Sequence, residues 1–68
     1  MTLIEFNQRY EEILFSSDSN DAKSLRYAEL MTELEKTFHI PMLKNEDWEQ
    51  KNRKVIALYR KISLSRQL

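Results

Sequence analysis

The stretch "YAELMTELEKTF", residues 27–38, carries the clearest periodic pattern in this chain. Its large apolar residues recur every three or four positions, which is the spacing that places side chains on one face of an α-helix. The members of this stripe are Tyr27, Leu30, Met31, Leu34 and Phe38. Because polar and charged residues fill most of the other positions, we predict an amphipathic helix over residues 20–38 that packs its stripe against other helices.

Turn-forming residues mark both ends of this helix. The cluster "SSDSND", residues 16–21, favours caps and turns, and several of its residues are candidate N-caps. Pro41 has no amide to donate and biases the preceding residue away from helical backbone angles, so the helix should end near His39. We expect the apolar residues around the proline to tuck the next loop beneath the helices: Ile40, Met42 and Leu43.

A capping-box spacing marks the start of the first helix. Thr2 precedes Glu5 by three positions, so the hydroxyl of one and the carboxylate of the other can each satisfy an amide that the helix leaves free. We predict a helix over residues 3–15. Its apolar residues also follow a helical period: Leu3, Phe6, Tyr10, Ile13 and Leu14.

The segment after the proline begins a third helix. Asn45 is a favourable N-cap, and the three acids that follow it suit the positive end of the helix dipole. We predict a helix over residues 46–64 with an inward stripe of Trp48, Val55, Tyr59 and Ile62. The expected fold is all-α, a small three-helix bundle, with residues 1–68 forming a single helical domain. An extended arrangement that completes its core in a dimer is the alternative.

The composition removes several classes of functional site. The chain has no glycine, which phosphate-cradling loops, dinucleotide fingerprints and nucleophile elbows need for positive φ or close backbone approach. It has no cysteine and one histidine, too few for a zinc site or an activated nucleophile. Helix ends explain His39, Trp48 and the acids of "NEDWE", residues 45–49, better than an acid–base pocket or a metal site does. We expect no enzyme activity, no cofactor and no metal.

The charges of this chain are divided between its two parts. Residues 1–49 contain five Lys or Arg and eleven Asp or Glu, whereas residues 50–68 contain six Lys or Arg and no acid. The formal net charge of zero therefore hides a strongly polar molecule. Such an asymmetry favours contacts between the basic part and an acidic surface.

The basic residues of the third helix recur after seven positions. On a helix they flank the face opposite the inward stripe, with two apolar residues along its centre. We name this set the basic face: Arg53, Lys54, Ala57, Arg60, Lys61 and Leu64. Further apolar residues lie outside the predicted stripes and are candidate contact points: Ile4, Phe15, Leu64 and Leu68.

Three interpretations of the basic face stay open. It is a solvated surface whose cations pair with acids of the first two helices, a site for an acidic protein partner or a second copy, or a site for nucleic acid or an anionic membrane surface. Nucleic acid is the weaker option, because the acids that begin the third helix would point at phosphate. The sequence favours a small non-catalytic interaction or regulatory module that binds a protein or itself. No signal peptide or membrane span is expected, so the predicted location is cytoplasmic.

Overall fold

The structure is a computed structural model that describes residues 1–66, and within that range it contains four helices and no strand. Three long helices form the predicted bundle, and a short helix precedes the last of them. The helices are α1 Leu3–Leu14, α2 Asn20–Phe38, α3 Glu46–Lys51 and α4 Arg53–Ser65. The all-α class and the three-helix arrangement are confirmed. Leu68, a predicted contact point, lies outside the described residues.

The N-terminal caps of α1, α2 and α3 form through side chains, and at α3 the Asn45 Oδ1 accepts the Trp48 amide at 3.0 Å, as predicted. The Thr2 hydroxyl accepts the Glu5 amide at 3.2 Å, and the Thr2 amide donates to Glu5 Oε1 at 3.0 Å, which confirms the capping box. Hydrogen bonding of the Glu5 carboxylate to Thr2, first to its backbone amide and then to its side chain, holds the pKa of Glu5 below its usual value. Ser19 caps α2 by accepting the Ala22 amide at 3.2 Å, so the structure selects one of the candidate N-caps.

The end of α2 adopts a left-handed conformation at a residue that is not glycine. His39 has φ 55° and ψ 48°, and it is the one residue with positive φ between residues 1 and 66. The amides of His39 and Ile40 both donate to the Glu35 carbonyl, the latter at 3.2 Å. Because the chain has no glycine, a histidine occupies the conformation that glycine would adopt at the lowest energy.

The core lies where α2 packs against both α1 and α4. Most residues of the predicted stripes supply it, with Phe6, Leu30, Leu34 and Ile62 fully buried. The prediction is wrong for Leu14, which is 38% exposed, and Trp48 is half-buried outside this cluster. Aromatic rings of the two N-terminal helices pack in tilted pairs, Phe6 with Phe38 and Tyr10 with Tyr27, each with ring centroids 5.7 Å apart. Burial of these apolar side chains is the main favourable term in the free energy of folding.

Contacts between the helices define an up-down-up course. Early α1 lies beside late α2, because the Phe6 ring packs on the Phe38 ring. Early α2 lies beside late α4, because the Ser24 hydroxyl donates to the Arg66 carbonyl at 3.4 Å. Both neighbours of α2 therefore run antiparallel to it, so α1 and α4 run parallel to each other.

The predicted continuous helix over residues 46–64 is wrong, because the structure interrupts it and divides it into two helices. Asn52 has φ −129° and ψ 44°, outside helical values, and separates α3 from α4. Its amide and its side-chain Nδ2 both donate to the Trp48 carbonyl, at 3.0 and 2.9 Å. The Trp48 carbonyl thus accepts the regular helical bond and a second one from the Asn52 side chain, at the residue where α3 ends. Such local side-chain hydrogen bonds offer the backbone an alternative to continuing the helix.

The loop after α2 also differs from the prediction. Ile40 and Pro41 are half-buried, but Met42 and Leu43 are 99% and 84% exposed rather than tucked beneath the bundle. Ile40 takes the position against the core, and the chain then turns outward towards α3. None of the helices between residues 1 and 66 combines the length and the apolar character that crossing a bilayer requires.

Candidate partner-binding face

All six members of the basic face are exposed on α4. Val55, Leu58 and Ile62 of the same helix are buried against the bundle, so its core side and its outer side are distinct. Leu64 is 69% exposed, and Ala57 lies in the middle of the cationic residues. The last helix is therefore oriented as predicted, with its apolar side towards the core and its cations on the outside.

Tyr59 ties this helix to α2 from the half-buried edge of the core. Its hydroxyl donates to Glu35 Oε2 at 3.0 Å. Burial raises the pKa of Tyr59 above its ordinary value, and the hydrogen bond to the Glu35 carboxylate raises it further. Burial also raises the pKa of Tyr27, whose ring is almost fully enclosed. The tyrosines therefore fix the position of α4 and belong to the core rather than to a site.

The break at Asn52 folds α3 back along one side of the basic face. Arg60 Nη2 lies 2.5 Å from Glu49 Oε1, and the Glu49 side chain is only 18% exposed. On an uninterrupted helix these two residues would share a face but stand about 16 Å apart along the axis. The interruption thus creates an ion pair that helical spacing alone forbids.

A depression of about 430 Å³ separates α3 from this side of α4. Arg53, Ala57 and Arg60 line one wall, and Glu46 and Glu49 line the other. The acids that begin the third helical segment therefore neutralise part of the basic face. Sequence reasoning missed this, because it assigned those acids to the helix dipole alone.

The opposite side of the basic face borders α1. Lys54, Ala57 and Lys61 line a groove of about 560 Å³ between the two parallel helices. The Lys61 ammonium lies 5.1 Å from the centre of the Tyr10 ring, a cation–π contact that keeps its charge at the groove. The Tyr10 hydroxyl is also 2.8 Å from the Ser65 hydroxyl, which fixes the end of α4 against α1.

Most cations of the basic face form no ion pair with an acid in residues 1–66. Within residues 1–66 the ion pairs are Arg9–Glu33, Arg26–Asp18 and Arg60–Glu49. Arg53, Lys54 and Lys61 take part in none of these three. The expectation that the cations pair with acids of the first two helices is therefore wrong for Arg60, whose partner lies on α3.

The alternative site at His39 and Trp48 is not assembled. Trp48 is half-buried in a depression of about 220 Å³ that is also lined by Pro41, Ile56 and Tyr59. His39 is exposed at the end of α2 and does not line this depression. Between residues 1 and 66, no three His, Cys, Asp or Glu side chains come together as a potential metal site.

Neither a protein-family model, nor a curated protein, nor a solved structure matches this chain significantly.

Proposed function

We propose that this chain is a small, non-catalytic cytoplasmic interaction module that binds a protein with an acidic surface, or a second copy of itself, through the basic face of α4. The observation that supports this proposal is the exposure of all six residues of the face on a helix whose opposite side is buried. Lys54 and Lys61 stand two turns apart, with Ala57 between them where a partner can approach closely.

Electrostatic attraction and short apolar contacts make separate contributions to binding in this mechanism. The cations accelerate encounter with an acidic surface and exclude basic ones. Leu64 and Ala57 then contribute apolar area and fix the register of the partner. Arg60 contributes less than the other cations, because it already contacts Glu49 at 2.5 Å.

A charge-matched pair of variants tests this proposal. The immobilised chain is compared with the triple variant Arg53→Gln, Lys54→Gln, Lys61→Gln, which leaves the Arg60–Glu49 pair intact. The control removes three other exposed cations: Lys36→Gln, Lys44→Gln and Lys51→Gln. Both variants should retain the helical circular dichroism of the native chain, and only the first should lose the proteins that the native chain captures.

The salt dependence separates a specific acidic surface from general anion binding. A nucleic-acid function would give steeply salt-dependent binding of labelled DNA or RNA, with the slope reduced by the triple variant. Capture that survives in the triple variant contradicts the proposal and leaves the basic face as a solvated surface.

A further inference from the structure

The groove between α1 and α4 has two edges of opposite charge. Residues two helical turns apart line both sides of it, with positions 4, 8 and 11 on α1 and positions 54, 57 and 61 on α4. The α4 edge carries one lysine on each side of a small residue, and the α1 edge carries an apolar, a polar and an acidic residue. The edge residues are Ile4, Gln8 and Glu11 on α1, and Lys54, Ala57 and Lys61 on α4.

The groove presents apolar surface that the bundle leaves in water. Ile4 is 72% exposed at its α1 edge. Leu3 and Leu58 lie at its base, and Ala57 keeps the α4 side low. Ile4 and Ala57 therefore offer apolar contact area on the two edges of the groove to a partner that packs over it.

We infer that a second copy of this chain packs over the groove, so that α1 of each copy lies over α4 of the other. This inference rests on the proposed function and identifies the acidic partner of the basic face. A two-fold axis parallel to α1 and α4 brings the two helix pairs together with all four helices parallel. This rotation preserves height along the helices, and Lys61 lies beside Tyr10, the neighbour of Glu11 on α1. The operation therefore places Glu11 of one copy opposite Lys61 of the other.

The distribution of charge favours a second copy over an unrelated acidic helix. Helix α1 has three carboxylates and one arginine, whereas α4 has four cations and no acid. An acidic helix from another protein would be attracted by the two lysines of the α4 edge but repelled by Glu11 of the α1 edge. A second copy satisfies both edges at once, because each α1 meets an α4. Like charges placed opposite each other are an effective way to reject a wrong partner.

The local contacts hold the charged groups in place for this pairing. Asn7 Nδ2 donates to Glu11 Oε1 at 2.9 Å, and the Lys61 ammonium lies against the Tyr10 ring at 5.1 Å. Neither contact is an ion pair, so both charges can still take a partner of opposite sign. Each α1 spans about 18 Å, so the two-helix face is at the small end of protein interfaces and predicts a weak, concentration-dependent dimer.

Charge reversal at the two facing positions tests the dimer directly. The molar mass of the native chain, measured by sedimentation equilibrium from about 10 to about 1,000 µM, should rise from monomer towards dimer, as expected for a small interface. Lys61→Glu alone and Glu11→Lys alone should each weaken association by about tenfold or more, since two like-charge contacts form per dimer. An equimolar mixture of the two variants should recover a heterodimer, because both contacts are then of opposite sign.

Two controls keep the outcomes distinct. Lys36→Glu makes the same change of charge outside the groove and should leave the mass profile unaltered. Ile4→Ser removes the exposed apolar edge and should weaken the dimer without changing its charge. Circular dichroism of each variant confirms folding, and the independent Glu11→Lys and Ile4→Ser variants serve if Lys61→Glu unfolds the chain.

Failure of this inference is distinguishable from failure of the proposed function. A native chain that stays monomeric over the whole range, yet loses captured proteins in the Arg53, Lys54 and Lys61 triple variant, overturns the dimer and leaves the basic face as a site for another acidic protein. A dimer that persists in both single reversals, or a mixture that does not recover association, also overturns the pairing. A monomeric native chain whose capture is unchanged in the triple variant overturns both.

Discussion

Replacing His39 by glycine should stabilise this protein. His39 ends α2 at φ 55° and ψ 48°, in the left-handed region where a Cβ atom is crowded. A residue other than glycine held there costs on the order of 1–3 kcal/mol, and histidine lies at the lower end because it tolerates this region better than most. Glycine removes that cost and keeps the two backbone hydrogen bonds to the Glu35 carbonyl.

The net gain is smaller than the strain that is relieved. Glycine also gives the unfolded chain more conformational freedom, which lowers the free energy of unfolding by roughly 0.5–1 kcal/mol. We therefore expect His39→Gly to raise the free energy of unfolding by up to about 1 kcal/mol. For a chain of this size, that corresponds to an increase in Tm of up to about 8 °C.

Thermal unfolding followed by circular dichroism measures this shift, and Lys36→Gly is the matched control. Lys36 is exposed in the last turn of α2, where backbone angles are helical, so glycine there should lower the free energy of unfolding by about 1 kcal/mol. The same residue introduced three positions apart should thus act in opposite directions. A Tm that falls in both variants would refute the assignment of strain to His39.

Three further predictions concern the core and the ionisable groups. Leu34→Ala should cost about 2–5 kcal/mol, comparable with the whole stability of so small a domain, so circular dichroism should show a largely unfolded chain; a cooperative melt near the native Tm would contradict this. Thr2→Ala should cost about 1 kcal/mol. The lowered pKa of Glu5 contributes stability that is present above its unfolded value of 4.5 and is lost as pH falls through the folded value. Thr2→Ala should flatten acid unfolding only in part, because it removes the hydroxyl but keeps the backbone amide that lowers this pKa most; urea titrations at pH 7 and pH 3 compare the variant with the native chain. The raised pKa of Tyr59 contributes stability that is complete below the unfolded value of 10.0 and is lost as pH rises through the folded value. Tyr59→Phe should therefore be less sensitive to alkaline pH, and an unchanged alkaline profile would argue against this contribution.

The sequence predicts those parts of the fold that local periodicity determines. The stripe from Tyr27 to Phe38 is complete, and the bounds of α2 agree with the prediction. The capping box at Thr2 is also local, because it needs only two side chains three positions apart. Such features depend on the helix itself and hardly on what packs around it.

The interruption at Asn52 depends on a small energy difference that the sequence does not display. Asparagine is less favourable than alanine in a helix by only a fraction of a kcal/mol, and many helices contain it. Good helix-forming residues stand on both sides, which is why one continuous helix was the expectation. The competing hydrogen bond from Asn52 Nδ2 to the Trp48 carbonyl at 2.9 Å becomes visible only in three dimensions.

The residues of the candidate site could be predicted from the sequence, but the residues that border it could not. A seven-residue recurrence shows that Lys54 and Lys61 share a face, and their exposure follows from the opposite apolar stripe. What borders that face depends on tertiary packing. Glu49 reaches Arg60 only because the chain folds back, and Ile4 joins Lys54 at one groove only because α1 and α4 run parallel.

The up-down-up course of the long helices also determines how this molecule should resist mechanical force. Thr2 lies near the end of α2, because Phe6 packs on Phe38, whereas Arg66 accepts a hydrogen bond from Ser24 near its beginning. The two points therefore lie at opposite poles, separated by roughly the length of α2, about 28 Å. A pull applied between these poles loads the helix contacts in shear, so the apolar rows must slip past one another together instead of peeling apart one at a time.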